Sequence, residues 1–476
     1  MSVPSVLLVN PPMLLEKPDF GQAGALFSPE NLKMAAINPG LLSIATYLDG
    51  KGIPVAICDL SVTEDFNVLR QMIENIKPDI IGVSSMSAFD YTETLKCFKI
   101  AVEERPQALR VAGGQHIGML GASAFLDSPE LQVLAKHEGE KVMEDIVSHI
   151  QNNQSLSDIA GIVVRDGTKI YDNPRISDLV ALDNIPPLKY ELYPEFRQFT
   201  PFVEESRGCP ARCEYCTSIS MNHGRIRYKT TEHFEIEINH AIDLWGKDHI
   251  FAILAASFGM RPKPTLELTK VFSRADVKWT TEFRADCNWE VYLNQLYEAG
   301  LVVVNVGMES ASPEVLINMN KTKNPKHYLA KTRELVKWIS RMPKLALRIN
   351  VIFYVGETPK TIRETISFLV ENTYGIDSVL YSPVFVTPGS NLEKNFHRYE
   401  EKYGARLVSS PYWDRRRLKL CQPSKYFSFE ESVYVSNTLE KVFSTPEGWF
   451  ASEAYHYRQD QKELKQNLID GRYSSS

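Results

Sequence analysis

Three cysteines stand within eight residues of one another in Arg207-Gly208-Cys209-Pro210-Ala211-Arg212-Cys213-Glu214-Tyr215-Cys216, separated by three residues and then by two. A loop that short can aim three thiolates at three corners of one iron–sulfur cubane. A structural zinc site asks for four protein ligands, usually in Cys-x2-Cys pairs. No second pair is present, and no histidine nearby has suitable spacing. A zinc-binding scaffold without enzymatic activity is the alternative from another class; the spacing favours the cubane. Three ligands leave one iron open, and an open iron can be chelated by the amino and carboxylate groups of a small molecule. The other four of the seven cysteines, Cys58, Cys97, Cys287 and Cys421, are scattered, so no disulfide framework is indicated. They are expected to be small buried hydrophobes.

The triad resembles the signature of the radical S-adenosylmethionine (SAM) superfamily at all three cysteines. Other segments are similar to that family too: Val306-Gly307-Met308-Glu309-Ser310 with Met319-Asn320-Lys321, Gly356-Glu357-Thr358-Pro359, and Thr387-Pro388-Gly389-Ser390. The likeness covers roughly residues 196–395. It implies a 4Fe–4S cluster on Cys209, Cys213 and Cys216, SAM on the open iron, and Tyr215 against the adenine. One departure stands out. Where many relatives carry Asp-Asp-x-Phe, this chain reads Ala255-Ala256-Ser257-Phe258. Arg284, Glu309 and Arg348 are the substitutes expected to grip SAM or substrate, an arginine pairing with the SAM carboxylate; rim salt bridges are the equal alternative for each.

The elements that must position these residues follow from periodicity. Apolar runs Pro201–Glu205, Ile250–Ala255, Lys278–Phe283, Val302–Val306, Leu347–Val355 and Ser378–Phe385 read as strands, separated by helical patterns such as Glu232–Leu244, Lys326–Ile339 and Pro359–Glu371. Six such units suit a partial (β/α)6 barrel with its working face at the strand C-termini. The triad follows the first strand directly. Ahead of it, Val6–Asn10, Pro54–Asp59, Asp79–Ser84, Leu109–Ala112 and Leu131–Ala135 alternate with helical patterns, which argues for a doubly wound, Rossmann-like α/β domain. The expected division is 1–154 for that domain, 155–195 for a connector with a hairpin at Gly161–Tyr171, 196–395 for the barrel and 396–476 for a C-terminal capping region.

At the strand ends of the first domain lie Asn10-Pro11-Pro12, Ser84-Ser85-Met86, Gly113-Gly114-Gln115-His116 and His137-Glu138-Gly139-Glu140, where open α/β sheets bind ligands. Paired glycines let the backbone approach a phosphate-bearing tail. The spacing from Ser84-Ser85-Met86 to Gly113-Gly114 resembles the cobalamin-binding domain fused ahead of many radical SAM domains. The likeness implies Asn10, Ser84, Ser85, Gly113, Gly114, His116, Glu138 and Gly139 as cobalamin contacts. Asn10-Pro11-Pro12-Met13-Leu14-Leu15 lacks the cobalt-ligating histidine of other cobalamin domains, so cobalamin without a protein histidine on cobalt is expected. His116 as a cobalt ligand is the weaker alternative; a contact to the tail or a polar rim residue is the expected role. A Rossmann-like domain used for packing or for another nucleotide is the reading without cobalamin.

The whole resembles cobalamin-dependent radical SAM methyltransferases. That implies a 5′-deoxyadenosyl radical, methyl transfer from methylcobalamin to an unactivated carbon of a small secondary metabolite, and a reductase or a flavodoxin- or ferredoxin-type electron donor. A cobalamin-bound cyclisation or rearrangement is the runner-up. Methylthiolation, which usually needs a second cluster, has only Cys58 and Cys97 to draw on. A net charge of −6 with acids and bases interspersed gives no broad field for nucleic acid. The opening residues Met1-Ser2-Val3 lack a signal peptide's basic start, and no apolar run is long enough to span a membrane, so a soluble cytoplasmic protein is expected. In the C-terminal region, Tyr412-Trp413-Asp414-Arg415-Arg416-Arg417 reads either as an anion-holding patch or as a solvated face on the barrel. Tyr455-His456-Tyr457 is undecided, and Ser474-Ser475-Ser476 is a low-complexity tail.

Overall fold

The computed structural model describes residues 3–13 and 36–443. Met1, Ser2, Leu14, Leu15, Tyr455-His456-Tyr457 and the serine tail therefore lie outside the described residues.

The first sheet begins with β1 (Val6–Asn10), β2 (Val55–Asp59), β3 (Ile80–Ser84), β4 (Leu109–Gly113) and β5 (Val133–Ala135), all parallel. Two antiparallel strands, β6 (Ile162–Asp166) and β7 (Lys169–Asp172), extend it to the order β2-β1-β3-β4-β5-β6-β7. β6 and β7 fall in the segment expected to be a connector, and they are built into the first sheet. Val6, Leu7, Leu8 and Val9 are all buried, because helices cover both faces and a strand buried twice reads as a continuous apolar run. The helix Pro39–Gly50 starts where Asn38 accepts from the Leu41 amide with Pro39 in the first turn, and Phe66–Ile76 is capped by Asp65. The chain order reverses between β1 and β3, opening a crevice at the C-terminal strand ends.

The second sheet is built from β8 (Phe202–Glu204) and, past a separate two-residue antiparallel ribbon of β9 (Ser206–Arg207) with β10 (Arg227–Tyr228), from β11 (Ile250–Leu254), β12 (Lys278–Phe283), β13 (Leu301–Glu309), β14 (Ala346–Phe353) and β15 (Ser378–Pro383). Its order β15-β14-β13-β12-β11-β8 is parallel throughout, an open six-stranded barrel wall. Outside it pack amphipathic helices, among them Thr231–Trp245, Pro262–Ala275, Pro325–Ile339 and Pro359–Glu371. The last of these opens on a Thr358/Thr361 capping box. Phe272 stacks on Trp279 with ring centres 4.0 Å apart, and Phe258 leans on the same indole. Each such fully buried side chain contributes roughly 2 kcal/mol of apolar transfer.

A third, antiparallel sheet, β16 (Phe385–Val386), β17 (Arg406–Val408) and β18 (Lys419–Gln422), follows the barrel in the order β16-β18-β17. The helix Phe429–Phe443 closes the described chain. Trp413, Tyr412, Leu418 and Leu420 pack there against Ala88 of the first domain. Between the domains, Tyr190 and Tyr193 act as pins. The Tyr190 hydroxyl donates to the Phe202 carbonyl, and the Tyr193 hydroxyl accepts from the Asn38 amide. Among the described residues, no helix is long and apolar enough to cross a membrane.

Candidate active site

The cysteine loop leaves β9 at Gly208, whose φ of +92° suits glycine; a Cβ there would run into the Arg225 carbonyl. The Cys216 amide donates to the Cys213 carbonyl at 3.1 Å, and the Ser218 amide donates to the Cys216 sulfur at 3.4 Å. Cys213 is buried, while Cys209 and Cys216 are half-buried. Burial raises the Cys209 thiol, an effect the Ala211 amide and Arg284 oppose. Arg284 reaches within 3.8 Å of the Cys213 sulfur and is held by Asp286 and by the Lys321 carbonyl, each at 2.9 Å. Among the described residues, no three His, Cys, Asp or Glu side chains converge on a site for one metal ion. A cubane takes each thiolate on a different iron, and a short loop of three thiols beside a fixed cation fits that donor pattern. The four scattered cysteines are buried and unpaired, as the sequence led us to expect.

Beyond the loop, the Tyr215 hydroxyl donates to Glu309 Oε1 at 3.0 Å, and Lys321 Nζ donates to the same oxygen at 3.1 Å. Glu309 has φ +69°, at the point where the pairing of β13 with β14 shifts register. A non-glycine residue held there carries strain that neighbours must impose. Gly307 makes the room, since a Cβ would lie 2.6 Å from the Glu309 carboxylate. Tyr215 also meets Tyr354 edge-on.

The C-terminal strand ends of the two sheets line one cavity of about 550 Å³. On the first-domain side, Gly82, Gly113 and Ala135 present almost no side chain, and the space descends between Ile44 and Met143 to Leu8. That narrow, apolar shaft suits a bulky ligand's tail. Ser84, Gly113, Gly114, Glu138 and Gly139 line it. Asn10, Ser85 and His116 do not. Asn10 donates to Asp59 and accepts from Asn38, at 2.8 and 2.9 Å. The Ser85 hydroxyl donates to Asp90. His116 turns toward the C-terminal region, its Nε2–H donating to the Arg416 carbonyl at 2.9 Å. The histidine that does line the cavity is His137, whose ring meets His223 of the barrel edge-on at 4.7 Å.

The cavity wall is also a charged seam. Arg207, two residues before Cys209, pairs with Glu138, Glu140 and Glu204 at 3.3, 2.7 and 2.7 Å, and Arg227 pairs with Glu138. The loop that carries the thiols is thereby tied to the loop after β5.

On the barrel side, Ala255 and Ala256 open space where acids would otherwise reach inward, and Thr280, Glu282 and Asn305 line the wall. Glu282, Asn305, Arg348 and Ser378 form one row across four strands. Arg348 Nε donates to the Ser378 hydroxyl at 3.3 Å and is not among the cavity-lining residues. Burial, with Glu309 nearby, raises the Glu282 carboxyl, while Lys321 and Arg348 oppose. The basic run resolves differently from either expectation: Arg416 and Arg417 pair with Glu93 and Asp127 of the first domain. Sequence reading passed over Arg207, Glu204, Thr280, Glu282 and Asn305. Only Lys321 had a signal, as part of Met319-Asn320-Lys321.

Residues 203–369 match the radical SAM superfamily model, and residues 30–147 match the B12 binding domain model. An uncharacterized methyltransferase of Pyrococcus horikoshii is 24% identical over 385 residues, covering 79% of this chain and 80% of its own length. The radical SAM methyltransferase TsrM from Kitasatospora setae, solved with cobalamin and a 4Fe–4S cluster bound, superposes with a TM-score of 0.72 at 16% identity, covering 94% of this chain and 90% of that one. The cobalamin-dependent SAM radical enzyme OxsB, solved with aqua-cobalamin and SAM, gives 0.73 at 16% identity over 98% of this chain and 72% of its own. At that identity the likeness is one of fold.

Proposed function

Because the chain is a radical SAM protein with a B12-binding domain ahead of its barrel, we propose that it is a cobalamin-dependent methyltransferase acting on an unactivated carbon of a small secondary metabolite. The observation that carries the reading is spatial: Arg207, Gly208 and Ser218, which flank the thiol loop on either side, and the glycine-lined shaft line one cavity, and Arg207 ties the loop to the first domain, although the cysteines themselves stand behind that wall. When bound, the cluster supplies one electron to the SAM sulfonium and the corrinoid supplies a methyl group for transfer to carbon.

In this reading Cys209, Cys213 and Cys216 hold the cluster, and Arg284 offsets part of its charge from beside Cys213. Tyr215, Glu309 and Lys321 form a linked polar set at the SAM end, with Glu309 an acceptor for a ligand amine or hydroxyl. Ser84, Gly113, Gly114, Glu138 and Gly139 cradle cobalamin, while Asn10 and Ser85 brace the strand ends behind them. His116 would stay outside the cradle, its ring held by the Arg416 carbonyl rather than turned into the cavity. A reductase or a flavodoxin- or ferredoxin-type donor serves the cluster, and a reducing cytoplasm suits the free thiols.

Reconstituted anaerobically with substrate and reductant, the enzyme is expected to form 5′-deoxyadenosine and S-adenosylhomocysteine in comparable amounts, measured by liquid chromatography. The first product without the second would point to a non-methylating reaction instead.

A further inference from the structure

Three polar groups on the barrel side of the cavity lack partners. Glu282 sits deep in the barrel wall with protein packed around most of it, and the surface it leaves accessible faces the cavity it lines. Among the described residues its carboxylate has no hydrogen-bond or ion-pair partner. Asn305, directly across the β12–β13 pairing, has its side-chain oxygen buried without a partner. One turn of the pleat below Glu282, on the same face, the Thr280 hydroxyl is also buried and unpartnered. All three line the cavity. The buried Asn305 oxygen and Thr280 hydroxyl cost free energy while unpartnered, so a native site leaves them open for a ligand that brings its own N–H or O–H groups, and the accessible Glu282 carboxylate stands beside them.

The charges select among donors. The neighbouring Glu309 adds negative potential, and Lys321 is already hydrogen-bonded to it. With Glu309 already paired to Lys321, and Lys321 and Arg348 both acting on Glu282, the gain for a positively charged donor comes from a direct charge-assisted bond to the Glu282 carboxylate, about twice as strong as a neutral one. Ala252, Leu254, Ala255 and Ala256 leave short apolar walls around the polar corner, room for a carbon skeleton beside the charged group.

We propose that Glu282, Asn305 and Thr280 form a receptor for a substrate ammonium, so that the methyl acceptor is an amine with an apolar carbon frame. The inference rests on reading the cavity as the substrate chamber. With Glu282 fixing the nitrogen at the wall, the carbons next to it are held toward the mouth where the two domains' strand ends face each other. Burial holds the empty carboxyl above its ordinary range, and an arriving ammonium favours its charged form.

The test uses full-length protein carrying cluster and cobalamin, with cyclohexylmethylamine and cyclohexylmethanol as a matched pair, titrated anaerobically by calorimetry. The amine is expected to bind at least about tenfold tighter than the alcohol. In Glu282→Gln, which keeps the side chain's shape, that preference falls to about threefold or less, while the corrinoid absorbance of the purified protein stays at the wild-type level. Equal affinity for the two probes, including none detectable for either, overturns the proposal, as does a preference that survives in Glu282→Gln. Loss of corrinoid from the variant also overturns it, because the acid would then face the amide arms of the corrin. Wild-type protein without corrinoid or without 5′-deoxyadenosine formation is a separate failure, that of the methyltransferase reading.

Discussion

Arg207 joins the two halves of the site through one guanidinium. It donates to Glu138 and Glu140 of the first domain, to Glu204 of β8 and to the Ser43 hydroxyl. Glu140 is buried, so removing the arginine leaves a carboxylate with neither water nor counter-charge. Arg207→Met is expected to lower unfolding stability by about 3–5 kcal/mol in chemical denaturation, and to reduce corrinoid recovered with the protein. His116 acts on stability through pH. Burial lowers its imidazole to about 4, against the pull of the Arg416 carbonyl. A base held below its unfolded value of roughly 6.5 refuses a proton that the unfolded chain accepts. Its share of stability is therefore complete above about pH 7 and declines as pH falls toward 4, by roughly 3 kcal/mol over the whole window. Unfolding midpoints measured from pH 7.5 to 4.5 are expected to fall less in His116→Asn than in the wild type; parallel curves would place the titrating group elsewhere.

Gly114 shows how an element end is fixed by one backbone conformation. Its φ is +101° and its ψ 163°, a region open to glycine alone, and a Cβ would lie 2.5 Å from the Ser85 carbonyl oxygen. Gly114→Ala is expected to cost about 2 kcal/mol or more, seen as a lower thermal midpoint, and to narrow the shaft so that less corrinoid is retained. The strands that carry these ends were legible because helices on both faces demand unbroken apolar runs. Lys278–Phe283 was read to the residue, and Leu301–Glu309 was read short, since Gly307 interrupts the pattern where the strand continues to Glu309. The hairpin β6–β7 was legible as a hairpin, but its place was not. Local turn chemistry says nothing about which sheet edge is free, and β5 offers one. The site divides on the same ground. Cysteine spacing is local, so the triad could be read directly. Arg207 meets Glu138 and Glu140 across 69 and 67 residues, and Thr280, Glu282 and Asn305 come from two strands as single polar residues of the kind that also faces solvent. Only folding brings them together.

Across the whole molecule, the C-terminal region works as a latch on the first domain. Arg416 is fully buried; its guanidinium takes both Glu93 oxygens at 2.9 Å and donates to the carbonyls of Ala88 and Phe89. Beside it Arg417 holds Asp127 through two bonds, and Trp413 meets Phe89 edge-on. Arginines thus grip the barrel to the first domain both near the cavity, at Arg207, and away from it, at Arg416. Truncating one partner of a buried pair strands the other, at a cost of about 3–5 kcal/mol, whereas replacing both with apolar groups is often near neutral. Arg416→Met is therefore expected to lower the unfolding midpoint, to expose the segment after β15 to trypsin and to weaken corrinoid retention. Arg416→Met combined with Glu93→Leu is expected to recover most of the stability, because neither stranded charge remains. A double variant as unstable as the single one would mean that the carbonyl contacts at Ala88 and Phe89, and not the ion pair, hold the latch closed.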